Sequence, residues 1–162
     1  MMEIALFQPD IPQNAGTIMR LGACLGLPVH VIEPAGFVWS EPRLRRAGMD
    51  YLDLAAVTRH ASYEAFVAGL GERRLVLMTT RAETPYTDFA FSPGDAIMLG
   101  RESAGVPEAV HEAAAARLAI PMKPGLRSLN VAVACAMVVG EALRQTGGFP
   151  ALTPPAAPPG PA

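Results

Sequence analysis

Three stretches of this 162-residue chain carry polar, basic and glycine residues that could do chemistry. The first is Asn14, Gly16 and Arg20, at the start of an apolar helical pattern. The second is GRESAGVP, from Gly100 to Pro107. The third is IPMKPGLRSLN, Ile120 to Asn130, where a short strand runs into a loop carrying Lys123, Pro124, Gly125 and Arg127. Ser128 stands where a helix N-cap belongs, its oxygen able to take an unpaired amide. Gly100 and Gly125 would let the backbone approach a ligand closely. A basic, glycine-bearing loop set against a buried helix can hold backbone amides and a few polar groups rigidly around a small molecule. Several other chemistries are excluded. Neither the dinucleotide fingerprint G-x-G-x-x-G nor the phosphate loop G-x-x-x-x-G-K-[ST] is present. His30, His60 and His111 show no metal-ligand spacing. The GRESAG run places its serine one position too late for a nucleophile elbow.

The elements that must position these residues follow from periodicity. Ile4–Phe7 reads as a buried strand, and Val29–Ile32, Leu75–Met78, Ala96–Leu99 and Leu118–Ile120 read likewise. Between them the spacing predicts a helix over 15–25, capped by Asn14 and stopped by Gly26. A short basic helix begins near Pro42, an amphipathic one spans 62–70, and another runs from Pro107 to about Ala116. From Val131 to Gly140 there is no charge, so the final helix must be buried on more than one side. Strands alternating with helices make an α/β domain: a mostly parallel sheet with helices on both faces. In such sheets ligands bind beyond the carboxyl ends of the strands, which here means the loops after Met78, Leu99 and Ile120.

Composition sets outer bounds. The chain is 51% hydrophobic and 17% charged with a formal charge of −2, which rules out a globally basic nucleic-acid binder but leaves room for a local basic patch. Cys24 and Cys135 lie inside apolar helical patterns and read as reduced core thiols. With no charged-then-apolar leader at the N-terminus, a cytoplasmic location is expected. Residues 1–148 are expected to form one domain, and the Pro/Ala-rich residues 149–162 a disordered tail.

Together, Asn14-x-Gly16-x-x-x-Arg20, LGRESAGVP (Leu99–Pro107) and IPMKPGLRSLN (Ile120–Asn130) resemble, in order, the three motifs of the SPOUT RNA methyltransferases. The stretches IEPAGF, RLRRAGMDY and TRH are similar to those of one subfamily, the tRNA wobble-position (cytidine/uridine-34) 2'-O-methyltransferases. The resemblance covers residues 3–148 and implies a deep C-terminal trefoil knot, one of the rare exceptions to unknotted chain paths. It also implies a homodimer and S-adenosylmethionine as methyl donor, bound at Met78, Gly100, Ile120 and Ser128, with no metal. The polar positions around the reacting centre would be Asn14, Arg20, Glu102, Ser128 and Asn130. The substrate implied is the 2'-hydroxyl of the wobble nucleotide, C or cmnm5U, in leucine tRNAs.

A guanidinium is a permanent cation, so Arg20 is expected to stabilise a developing alkoxide or neighbouring phosphate, with Ser128 or Asn130 relaying the proton. Arg43 and Arg46 share a helix face at i, i+3 and are candidate tRNA contacts. The sequence departs from the subfamily at Arg101, at Ala104 and over Val131-Ala132-Val133. Two rival readings stay open: methylation of another tRNA or rRNA ribose, and a catalytically silent knotted RNA-binding protein.

Overall fold

The computed structural model describes residues 1–40, 42–48, 51 and 53–152. Along them run β1 (Glu3–Phe7), α1 (Pro12–Leu25), β2 (Val29–Ile32), α2 (Pro42–Gly48), β3 (Val57–His60), α3 (Tyr63–Leu70) and β4 (Leu75–Met78). Then come β5 (Thr84–Pro85), β6 (Ala96–Leu99), α4 (Glu108–Ala113), β7 (Ala116–Ala119) and α5 (Val131–Thr146). The strands form one seven-stranded sheet in the order β3-β2-β1-β6-β4-β7-β5, every pair parallel. In register, Leu6 lies beside Leu99, and Met78 lies beside both Leu99 and Leu118. The carboxyl ends of β6, β4 and β7 are therefore level.

Alternation along each strand divides the core. Ile4, Leu6, Val31, Ile97 and Leu99 face Ile18 and Met19 of α1 and Cys135, Val138 and Leu143 of α5. Ala5, Phe7, Leu77 and Met98 face Phe66 and Leu70 of α3 and Val110 of α4. Both faces are covered, as the near-continuous apolar strands require. Among the described residues no helix is long and apolar enough to cross a membrane. The crossing of α1 and α2 depends on Gly16, where a Cβ would lie 2.5 Å from the Leu44 carbonyl oxygen. Only a bare backbone lets the two helices approach so closely.

Several sequence expectations need correction. Helix α1 starts at Pro12 rather than Ala15, with Ile11 at the cap position and no side-chain cap. Asn14 is thus the third helical residue and not an N-cap. Proline suits the first turn because its missing N–H has no intrahelical partner there anyway. Ser128 does not cap the last helix either. Asn130 does, its side-chain oxygen accepting from Ala132 N at 2.9 Å and Val133 N at 3.3 Å. Strand β7 covers 116–119 rather than 118–120, and α4 ends at Ala113. Cys135 is buried as expected, but Cys24 is exposed on the last turn of α1. Of the expected tail, residues 149–152 are described without regular structure. Residues 153–162 lie outside the described part, as do 49 and 50 of the RLRRAGMDY stretch.

Candidate active site

Strand order reverses between β1 and β6: the connection after β1 leads to α1 on one face, and the one after β6 leads to α4 on the other. Such a divergence opens a crevice at the carboxyl edge. Beside it lies a cavity of about 520 Å³. Its walls come from the end of β4 (Met78 to Thr80), the loop after β6 (Gly100 to Val106), and the segment after β7 through the start of α5 (Ile120, Met122, Arg127 to Val131). Asn14 completes it from α1. Leu99, Met78, Ile120, Leu129 and Ala134 make much of the surface apolar, while Glu102, Ser128 and Asn130 supply polar groups.

A chain of side chains ties three separate loops together here. Asn130 Nδ2 donates to Asn14 Oδ1 at 2.9 Å, and Asn14 Nδ2 donates to Glu102 Oε1 at 3.2 Å. Glu102 Oε2 accepts from the Asp10 backbone N at 3.1 Å. Asn14 is only 9% exposed, so water has little access to replace these bonds. Because Asn130 also caps α5, the helix start is anchored directly to α1. The loop after β6 is a tight reversal in which Arg101 N donates to Gly105 O at 3.0 Å and Gly105 N to Arg101 O at 2.7 Å. Gly100 is needed for that closure. A Cβ there would meet the Gly105 carbonyl carbon at 2.8 Å, and Gly105 itself has φ 68. The atoms for which Gly100 makes room in this structure are this loop's own backbone.

Electrostatics separate the two acids of the site. Burial pushes the Glu102 carboxyl above the usual range and the Asp10 carboxyl group pushes it the same way, outweighing the lowering by the Asp10 N–H and the Asn14 amide. Burial would also raise Asp10, but bonds from Glu102, Ser103 and Arg101 outweigh it and hold that carboxyl well below the usual range. The Asp10 carboxylate accepts from Arg101 Nε at 3.1 Å and from the Ser103 hydroxyl. Asp10 carried no sequence signal beyond its place in a loop; its partners are 91 and 93 residues away.

Of the residues singled out from sequence, Asn14, Met78, Gly100, Glu102, Ile120, Ser128 and Asn130 all border the cavity. Arg20 does not. It sits six residues beyond Asn14, about 9 Å along the helix, and stacks on Tyr51 with its guanidinium carbon 5.2 Å from the ring centre. Asn130 has both ends of its amide engaged, its nitrogen with Asn14 and its oxygen with the cap N–H groups of α5. Among the described residues no cluster of three or more His, Cys, Asp or Glu side chains is placed to hold a metal.

The family model described as the SpoU rRNA Methylase family matches residues 1–140. The chain belongs to that family. Among SpoU methylases it is 63% identical over 148 residues to the tRNA (cytidine(34)-2'-O)-methyltransferase of Beijerinckia indica, an alignment covering 90% of this chain and 92% of that one. A solved structure described as giving structural insights into the 2-OH methylation of C/U34 on tRNA superposes with a TM-score of 0.86. It is 42% identical, covering 90% of this chain and 95% of the other. The SpoU methyltransferase AviRb of Streptomyces viridochromogenes, solved in complex with the cofactor AdoMet, gives a TM-score of 0.77 at 27% identity. That match covers 90% of this chain and 60% of AviRb. The loops after β4, β6 and β7 thus belong to a SpoU methylase, and the α/β sheet expected from sequence is the one observed.

Proposed function

We propose that this chain is a tRNA (cytidine(34)-2'-O)-methyltransferase, moving a methyl group from S-adenosylmethionine to the wobble ribose of leucine tRNAs. The observation that carries this reading is the cavity at the level carboxyl ends of β4, β6 and β7, bordered by the Asn14–Glu102–Asn130 chain. Its volume, about 520 Å³, falls in the range of small-molecule sites, roughly 300–1,000 Å³. The apolar wall of Met78, Leu99, Ile120 and Leu129 suits a nucleoside and thioether chain. Bound there, S-adenosylmethionine supplies an electrophilic methyl on a sulfonium that departs neutral.

The protein's own task is alignment and proton handling. Met78, Gly100, Ile120 and Ser128 hold the donor. Asn14 and Asn130 fix the relative positions of α1 and α5 and orient Glu102. Ser128, exposed on the cavity wall, and Glu102, whose raised affinity for a proton exceeds that of a free carboxylate, are the groups able to receive the ribose proton. Arg20 acts from the α1–α2 side on the alkoxide or an adjacent phosphate, and reaches a pocket when two copies associate.

Association is suggested by α5 itself. Val133 and Met137 remain 50% and 39% exposed on a helix whose opposite face packs into the core, and Leu129 just before it is 40% exposed. A second copy laid on this face would bury them. The C-terminal trefoil knot and a cytoplasmic location form part of the same proposal. So do RNA contacts by Arg43 and Arg46, both exposed on α2.

The test is tritiated methyl transfer to purified unmodified leucine tRNAs followed by nuclease mapping. Label on the wobble ribose is expected; label on a base, or on a ribose outside the anticodon loop, overturns the assignment. Light scattering should give a dimer at micromolar concentration. Replacing Arg43 and Arg46 by Ala should weaken tRNA binding and flatten its salt dependence by about one unit per lost phosphate contact. Near-normal turnover in Arg20→Lys would refute the role given to that guanidinium.

A further inference from the structure

The loop after β6 carries one residue whose geometry the reading above leaves unused. Arg101 borders the cavity with its side chain 34% exposed. Its inner nitrogen, Nε, donates to Asp10 Oδ2 at 3.1 Å. Among the described residues, its two terminal nitrogens have no hydrogen-bond partner. An arginine held by Nε alone keeps the outer edge of its planar fork free, and that edge is the part that matches a carboxylate or phosphate oxygen pair. Asp10 is well built to hold it. The Asp10 backbone is wedged against Gly36, where an added Cβ would fall 2.8 Å from the Asp10 Cα. Gly36 N also donates to Pro9 O at 2.8 Å. The Asp10 carboxylate simultaneously receives the Ser103 hydroxyl, and the Asp10 N–H holds Glu102. Three consecutive residues of the loop, 101 to 103, are therefore clamped by one aspartate.

We infer that Arg101 is an oxyanion-binding residue of this active site, with Asp10 as the positioning residue that aims it at the cavity. The oxyanion is either a phosphodiester of the substrate RNA beside the reacting ribose or the carboxylate of the methyl donor's amino-acid end. Both present the paired oxygens a guanidinium fork accepts, and both belong at this pocket. Asp10 also explains why such a cation is tolerated on the wall: it offsets the charge of Arg101 when no substrate is bound, while leaving the two outer nitrogens available. This inference rests on the methyltransferase reading proposed above.

The experiment compares wild type with Arg101→Ala, Arg101→Lys, Asp10→Asn and Asp10→Ala. Three quantities are measured: calorimetric Kd for S-adenosylmethionine, KM for unmodified leucine tRNA at several salt concentrations, and kcat. Loss of one charge-assisted contact predicts a tenfold or greater rise, about 1.5 kcal/mol or more, in the constant for whichever ligand supplies the anion. If that is the RNA, KM rises, its log–log salt slope falls by roughly 0.7–0.9, and the S-adenosylmethionine Kd stays put. If it is the donor, Kd rises and the salt slope for RNA is kept. Arg101→Lys, which retains charge without the fork, should recover part of the loss. Asp10→Ala should reproduce Arg101→Ala, and the double variant should be no worse than either. Asp10→Asn, which keeps an acceptor and the backbone bond to Glu102, guards against a folding defect. Wild-type KM and Kd in Arg101→Ala, or a fall in kcat alone, overturns the inference. Wild-type protein that leaves leucine tRNA unmethylated would instead overturn the functional reading.

Discussion

Replacing Asn14 by Ala removes the middle member of the chain that joins α5 to the loop after β6. Two bonds disappear, at 2.9 and 3.2 Å, from a residue only 9% exposed. What remains is the Asn130 amide and one Glu102 oxygen facing the space the side chain filled. A bond between neutral groups contributes about 0.5–1.5 kcal/mol net and one to a charged acceptor about 1.5–3, so the loss should be about 2–4 kcal/mol. At roughly 2–4 °C per kcal/mol for a chain this size, the melting temperature should drop by about 5–15 °C. The fall should be partly non-additive with Glu102→Ala, because both substitutions break the same bond. Asn14→Asp separates hydrogen bonding from shape. It keeps an acceptor for Asn130 but sets a second carboxylate against Glu102, whose proton affinity burial has already raised. Its stability relative to Asn14→Ala should therefore improve as pH falls from 8 to 5, when one proton can bridge the two acids. Urea unfolding of both variants at the two pH values gives the answer. Losses under about 0.5 kcal/mol for both, or a difference that ignores pH, would mean the chain of side chains bears no energy.

Gly100→Val should first open the loop after β6, because its Cβ would meet Gly105 backbone at 2.8 Å; the expected result is weakened S-adenosylmethionine binding together with increased protease cutting between 100 and 106, and a wild-type cutting pattern would contradict it. Burial lowers the proton affinity of His30, with Glu3 opposing that and His60 and Arg73 adding to it. The folded state therefore binds this proton less readily than the unfolded chain, so stability contributed by His30 is present above about pH 6.5 and is lost as pH falls below it, by up to ~1.4 kcal/mol per pH unit. Denaturant melts from pH 7.5 to 5.5 should show that slope, and His30→Gln should flatten it. Finally, a thiol reagent should titrate Cys24 at once in the native protein. Cys135 is fully buried, with its thiol pushed up to about 12, and should react only after denaturation; rapid reaction of both would contradict the packing of α5.

The parts of the fold that sequence made legible are those whose physics is local. Strands β1, β2, β4 and β6 are apolar runs because both faces of the sheet are covered, and such runs need no knowledge of their neighbours. Strand β3 is an edge strand reading VTRH, intermediate or exposed at all four positions, and β5 is two residues long; neither leaves an apolar trace. Strand β7, with only Leu118 fully buried, was displaced by two residues for the same reason. In the site, the three loops at strand ends were legible because parallel topology dictates where ligands bind. The capping roles were not: Asn14, Ser128 and Asn130 are all competent caps, and only the tertiary bond between Asn14 and Asn130 decides which is used for what. Pro12 was the readable clue that α1 begins earlier. Nothing local could reveal Asp10, whose partners lie on the far side of the chain.

The bond between Asn14 and Asn130 spans 116 residues of sequence, and this has a consequence for how the protein is made. During synthesis the N-terminal strands and α1 leave the ribosome long before residue 130 does, so Asn14 waits without its partner while most of the sheet assembles. Contacts so distant in sequence are entropically late to form, and the cavity wall they complete cannot exist in a nascent or C-terminally truncated chain. Binding competence is thereby deferred to the last helix. Every half-finished copy lacks the completed cavity, and if the donor binds there as proposed, the appearance of donor binding during refolding should mark the docking of α5 rather than the formation of the sheet.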